Sequence, residues 1–179
     1  MDNKNIHLRK LTFAALLCAA AVVCSPLSIP VGTSRCFPVQ HLVNILGGVF
    51  LGPSYSVGMA FVTSFVRNLM GTGTLLAFPG SMCGALIGGL LYKYSKKLSL
   101  AYMGELFGTA VIGGLLAYPL AVFAMGKESA LFGFVLPFFI SSAGGTVIAV
   151  FLVTALKKAK VLDMFLYGTK SRKEDMKNG

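Results

Sequence analysis

Apolar residues come in blocks whose length only a lipid bilayer requires. They occupy residues 11–29, 39–51, 54–70, 75–91, 98–125 and 130–156. A helix needs about 20 mostly apolar residues to cross the hydrocarbon layer, and several blocks reach that length. Short stretches rich in Gly, Pro or charge separate them: 30–38, Gly52-Pro53, 71–74, 93–97 and 126–129. Only 12% of the chain is charged, against about 25% in a soluble domain, and the mean hydropathy is +0.77. The expected fold is all-α: a polytopic protein of the plasma membrane with about six transmembrane helices. Residues 1–10 form a cytoplasmic N-terminus, 11–156 the membrane domain and 157–179 a basic cytoplasmic tail.

The first block follows Arg9-Lys10, as in a secretion signal, but no Ala-x-Ala site comes after it, so a retained helix is expected. Block 39–51 is short and begins with Gln40, His41 and Asn44. Taken alone it fits either a short tilted crossing or a re-entrant segment. Charge placement favours the crossing. Lys4, Arg9 and Lys10, then Lys93, Lys96 and Lys97, then seven basic residues from Lys157 onward, mark three connections. Basic loops stay cytoplasmic, and six crossings put all three on that side. The net charge of +10 thus reflects topology and contact with lipid headgroups; no nucleic-acid partner is expected.

Arg67 and Asn68 close the third block, followed by Gly71-Thr-Gly-Thr74. An ionisable group inside a membrane segment usually faces a polar cavity or a partner. With this topology Arg35, Gln40, His41, Asn44, Arg67, Asn68, Thr72 and Thr74 gather at the external end, which suggests a ligand pocket opening outward. Arg67 is open to a ligand role, to pairing with Glu128, or to anchoring at the headgroups. Phe78 could stack on a planar ring or face lipid or core. Ser141 and Ser142 are secondary pocket candidates. Glu105 is expected to pair with Lys96 or Lys97 at the opposite end, leaving His41 without an acidic neighbour.

Glycines recur every fourth residue at Gly80, Gly84 and Gly88, at Gly104 and Gly108, and at Gly48 and Gly52, the spacing of close helix packing. Ala15 and Ala19 repeat it in the first helix, which suits either the bundle interior or a partner protein. The cysteines match no metal or disulfide framework. Phosphate-loop and zinc-protease motifs do not occur in the sequence, and no nucleophile–base pair stands out. The chain is therefore not expected to be an enzyme or to need a cofactor, and any ATP hydrolysis is expected in another chain.

The runs from Gln40 to Pro53 (QHLVNILGGVFLGP) and from Ser64 to Ala85 (SFVRNLMGTGTLLAFPGSMCGA) resemble the ThiW family. Its members are regarded as S components, the substrate-binding subunits of energy-coupling factor transporters, associated with the thiazole precursor of thiamine. The resemblance implies a six-helix membrane subunit with an outward pocket. It also implies partners: a transmembrane coupling subunit and two ATP-binding subunits. Ala15-x-x-x-Ala19 matches the family's docking motif. A thiazole alcohol would be held by Asn44, Asn68, Thr72, Thr74 and Ser81, with Gln40, His41 and Arg67 nearby and Phe78 as a stacking wall. The alternatives are an S component for another small vitamin or precursor, and a stand-alone secondary transporter.

Overall fold

The computed structural model describes residues 3–31, 34–126 and 130–159. Among them are six helices: α1 (Asn3–Val23), α2 (Pro38–Leu51), α3 (Pro53–Leu69), α4 (Ala77–Ser95), α5 (Leu98–Ala124) and α6 (Val135–Lys158). The apolar blocks appear as helices. A short antiparallel hairpin, β1 (Ile29–Val31) and β2 (Ser34–Cys36), bridges α1 and α2. The sequence marks this stretch only as non-helical. Pro30 is tolerated because a two-stranded ribbon has only edges.

α1, α5 and α6 are long and apolar enough to cross a membrane. α2 is shorter: nine α-helical residues continue into a five-residue π turn, which at 1.5 Å per residue spans only about 21 Å. It lies inside the bundle, with Val43, Ile45, Leu46, Val49 and Leu51 buried. Large apolar side chains are exposed and two ionisable ones are buried, unlike the pattern of a soluble domain. Phe123 is 85% and Phe151 74% exposed, whereas Arg67 and Glu105 are each 1% exposed. A lipid-facing surface accounts for the outward apolar side chains, and buried polar groups must then find partners within the bundle.

Glycine makes the central seam. A Cβ on Gly104 would lie 2.8 Å from Gly88 Cα, one on Gly108 2.9 Å from Gly84 Cα, and one on Gly113 2.6 Å from Gly80 Cα. On α4 these glycines are spaced four and four; on α5, four and five. The π turn at Gly108–Gly113 absorbs the extra residue, since its i→i+5 period keeps Gly113 on the same face. Gly145 meets α2 as closely: its added Cβ would stand 2.3 Å from Pro38 O.

α4 and α6 run from the hairpin end of the bundle to an end bearing Lys93, Lys157 and Lys158. His7 of α1 reaches Tyr55 at the start of α3 (Nδ1 to OH, 2.9 Å). This places the N-terminal basic residues at the same end. The tail beyond 159 lies outside the described residues.

Candidate functional site

A cavity of about 630 Å³ opens at the end opposite the lysines. Its wall comes from the hairpin, the start of α2, the end of α3, the α3–α4 turn, the start of α4, Thr109 of α5 and the start of α6. Local sequence explains the turn. Gly71 adopts φ +70°, a left-handed conformation that glycine enters without a Cβ penalty. The Thr72 amide then donates to Arg67 O (3.0 Å) and the Gly71 amide to Asn68 O (3.1 Å). That pair of bonds closes α3 as a Schellman cap and leaves the threonines at the cavity.

Of the expected site residues, the structure brings Gln40, His41, Arg67, Thr72, Thr74 and Ser81 onto the cavity wall. Asn44 is buried one layer deeper; its amide donates to Glu105 Oε1 (3.0 Å) and to Ser81 O (3.1 Å). Asn68 is occupied by the turn, donating to Ser64 O (2.8 Å) and Thr74 O (3.0 Å). Phe78 lies off the wall beside Phe61, an exposed ring, with centroids 5.6 Å apart. Ser141 lines the cavity and accepts the Phe37 amide at 2.7 Å. Ser142 donates back to Phe138 O within its own helix. Arg35, Phe37, Phe134, Phe138 and Thr109 also line it. The aromatics at 134 and 138 precede Ser141 at helical spacing, a signal the sequence carried.

Glu105 is not paired with Lys96 or Lys97. It points inward and shares a hydrogen bond with His41 Nδ1 at 2.9 Å, so His41 has the acidic neighbour the sequence did not place beside it. Thr109 Oγ1 also donates to the same carboxylate oxygen, at 3.5 Å. The glycine seam makes room for this arrangement: a Cβ on Gly84 would sit 2.2 Å from Thr109 Oγ1 and 2.9 Å from the Glu105 carboxyl carbon. When Nδ1 donates to the carboxylate, the imidazole Nε2 is left for the cavity.

Arg67 does not reach outward to headgroups. Its Nη1 donates to Gln40 Oε1, whose amide nitrogen in turn donates to Ser64 Oγ at 2.9 Å. The Phe37 ring lies on the guanidinium face, 3.5 Å from centroid to Cζ. Glu128 lies outside the described residues.

Asn68→Ala should act through the turn. Losing two hydrogen bonds to backbone carbonyls should cost about 1–3 kcal/mol and speed proteolysis at the α3–α4 connection. A melting curve and cleavage rate identical to those of the unmutated protein would show that the amide does not hold the turn.

Among the described residues no cluster of three or more His, Cys, Asp or Glu could hold a metal ion. Cys36 is buried with Sγ donating to Pro137 O (3.2 Å), and burial pushes its thiol pKa up. Such a thiol stays protonated and unreactive. The wall thus offers aromatic surface, hydroxyls, an imidazole and guanidinium groups, a set suited to holding a small planar polar molecule.

The sequence profile of one family, described as thiamine-precursor transporter protein (ThiW), matches residues 11–159. No curated protein matches the chain, and no solved structure does.

Proposed function

We propose that this chain, which belongs to the ThiW family of thiamine-precursor transporter proteins, is the substrate-capture subunit of an energy-coupling factor importer for the thiazole precursor. The observation that carries the reading is the cavity itself. It has the volume of a small-molecule site, and aromatic rings and hydrogen-bonding groups share its wall. It lies opposite the lysine-rich end, which the positive-inside rule assigns to the cytoplasm. The ligand therefore enters from outside and rests against Gln40, His41, Arg67, Thr72, Thr74 and Ser81. Asn44 supports them from beneath.

Transport then requires energy from partners: a transmembrane coupling subunit and two ATP-binding subunits. Ala15 and Ala19 are both exposed on α1, where small side chains let another helix approach closely. Ala15→Trp should leave ligand affinity within about twofold of the unmutated protein, since an exposed substitution remote from a site barely perturbs it. The same change should abolish co-purification with the coupling subunit and uptake. A complex that survives this bulky residue would place the docking face elsewhere.

One observation favours a second reading. The buried His41–Glu105 pair is the kind of group a proton-coupled secondary transporter uses. Uptake of labelled thiazole alcohol into cells with and without the ATP-binding subunits decides between the two. Uptake lost without them supports the importer; uptake that persists and follows the proton gradient supports the alternative.

A further inference from the structure

The geometry points to an anionic ligand: a thiazole whose side chain ends in an oxyanion, a phosphate monoester or a carboxylate, gripped by the free edge of Arg67. The inference rests on the reading of the cavity as a thiazole site and narrows it to one charge class.

Arg67 is 1% exposed and lines the cavity. Its Nη1 is engaged by Gln40 and its face is covered by Phe37. Its Nε and Nη2 find no hydrogen-bond partner among the described residues. These two nitrogens form one edge of the guanidinium, with parallel N–H groups spaced to fit two oxygens of a carboxylate or phosphate. No carboxylate of the described residues pairs with Arg67. A buried cation without a counter-charge is costly, and so are two buried donors without acceptors. One bound oxyanion removes both penalties.

The rest of the wall agrees. Among the described residues Arg35 is the other permanent cation on it, and no Asp or Glu lines it. Glu105, the one acid among the described residues, is held beneath it by His41, Asn44 and Thr109. Phe37 and Gln40 fix the guanidinium before any ligand arrives, which limits the ordering cost of binding. A neutral alcohol can accept one of the two N–H groups; an oxyanion takes both.

The test is calorimetric titration of the purified full-length protein with four probes. They are the thiazole alcohol, its phosphate monoester, the matching thiazole carboxylate, and phenyl phosphate as an anion without a thiazole. The expected result is that at least one thiazole anion binds tenfold or more tighter than the alcohol. Arg67→Gln should shrink that preference to about twofold or less, and Arg67→Lys should restore only part of it, because a point charge replaces the fork. The phosphate and carboxylate arms say which oxyanion the site takes. An alcohol that binds as tightly as both anions overturns the inference and leaves the thiazole reading standing. Phenyl phosphate binding through Arg67 while no thiazole binds keeps the oxyanion site and removes the thiazole. Failure of every anion to bind the unmutated protein overturns the inference, and that arm needs no variant to fold.

Discussion

Glu105→Ala is expected to lower the affinity for the captured ligand by roughly a hundredfold or more and to destabilise the bundle by about 3–5 kcal/mol. One carboxylate oxygen serves three donors: the His41 ring, the Asn44 amide and the Thr109 hydroxyl. Removing it leaves the His41 ring and the Thr109 hydroxyl without that acceptor and takes from the Asn44 amide one of its two, the other being Ser81 O. His41 and Thr109 both line the cavity, so the damage reaches the site directly. Glu105→Gln separates charge from hydrogen bonding. It keeps an acceptor of nearly the same shape and should lose much less stability than the alanine variant. Thermal melts in detergent and ligand titrations of both variants check this. Wild-type affinity in Glu105→Ala would mean that the network beneath the cavity does not position its wall.

Gly108→Val should prevent the bundle from closing. Even the first carbon of the new side chain would stand 2.7 Å from Cys83 O and 2.9 Å from Gly84 Cα. Both neighbours are backbone, so no rotamer change relieves the clash, and α4 and α5 must separate. Overpacking a tight core costs typically about 1–3 kcal/mol, and a backbone-to-backbone contact lies at the upper end. The same seam carries Glu105 and Thr109, so ligand binding should disappear with the fold. The readouts are the folded fraction on size-exclusion chromatography and the melting temperature. A valine variant that elutes and melts like the parent would show that α4 and α5 are not pressed together by glycine. Gly58 serves as the control: nothing lies within 4 Å of a Cβ there, and Gly58→Ala should leave the fold intact.

Much of the architecture was legible because membrane helices announce themselves by composition. The apolar blocks at 54–70, 75–91 and 130–156 lie close to α3, α4 and α6. The four-residue glycine repeats anticipated the seam between α4 and α5. Helix ends were harder. α1 begins at Asn3, eight residues before its apolar block, because polar turns at the headgroup level carry no hydropathy signal. The split between wall and support was not legible either. Asn68 looks like a ligand residue, yet its amide is spent on the cap that shapes the turn. Phe78 sits beside the turn in sequence, but helical rotation carries it to the outer face.

The pairing of His41 with Glu105 was hidden for a related reason. Sequence distance placed Glu105 near Lys96 and Lys97, whereas the rotation of α5 about its axis turns it inward. That rotation is set by glycine contacts between helices, and the partner lies 64 residues away. Phe134 and Phe138 did carry a signal, their helical spacing from Ser141, but only knowledge of which face of α6 meets the hairpin would have singled them out.

The sidedness of the cavity is tested most directly by side-specific thiol labelling of two variants, Thr72→Cys and Lys96→Cys, with the four native cysteines replaced by alanine. Intact cells are treated with a membrane-impermeant maleimide, with and without a saturating thiazole ligand. The cysteine at position 72 is expected to be labelled from outside and shielded by ligand, while the one at position 96 reacts only after the membrane is opened. Position 72 reacting only from the cytoplasmic side, or reacting from outside at a rate unchanged by a ligand shown to bind, would contradict an outward-facing capture site.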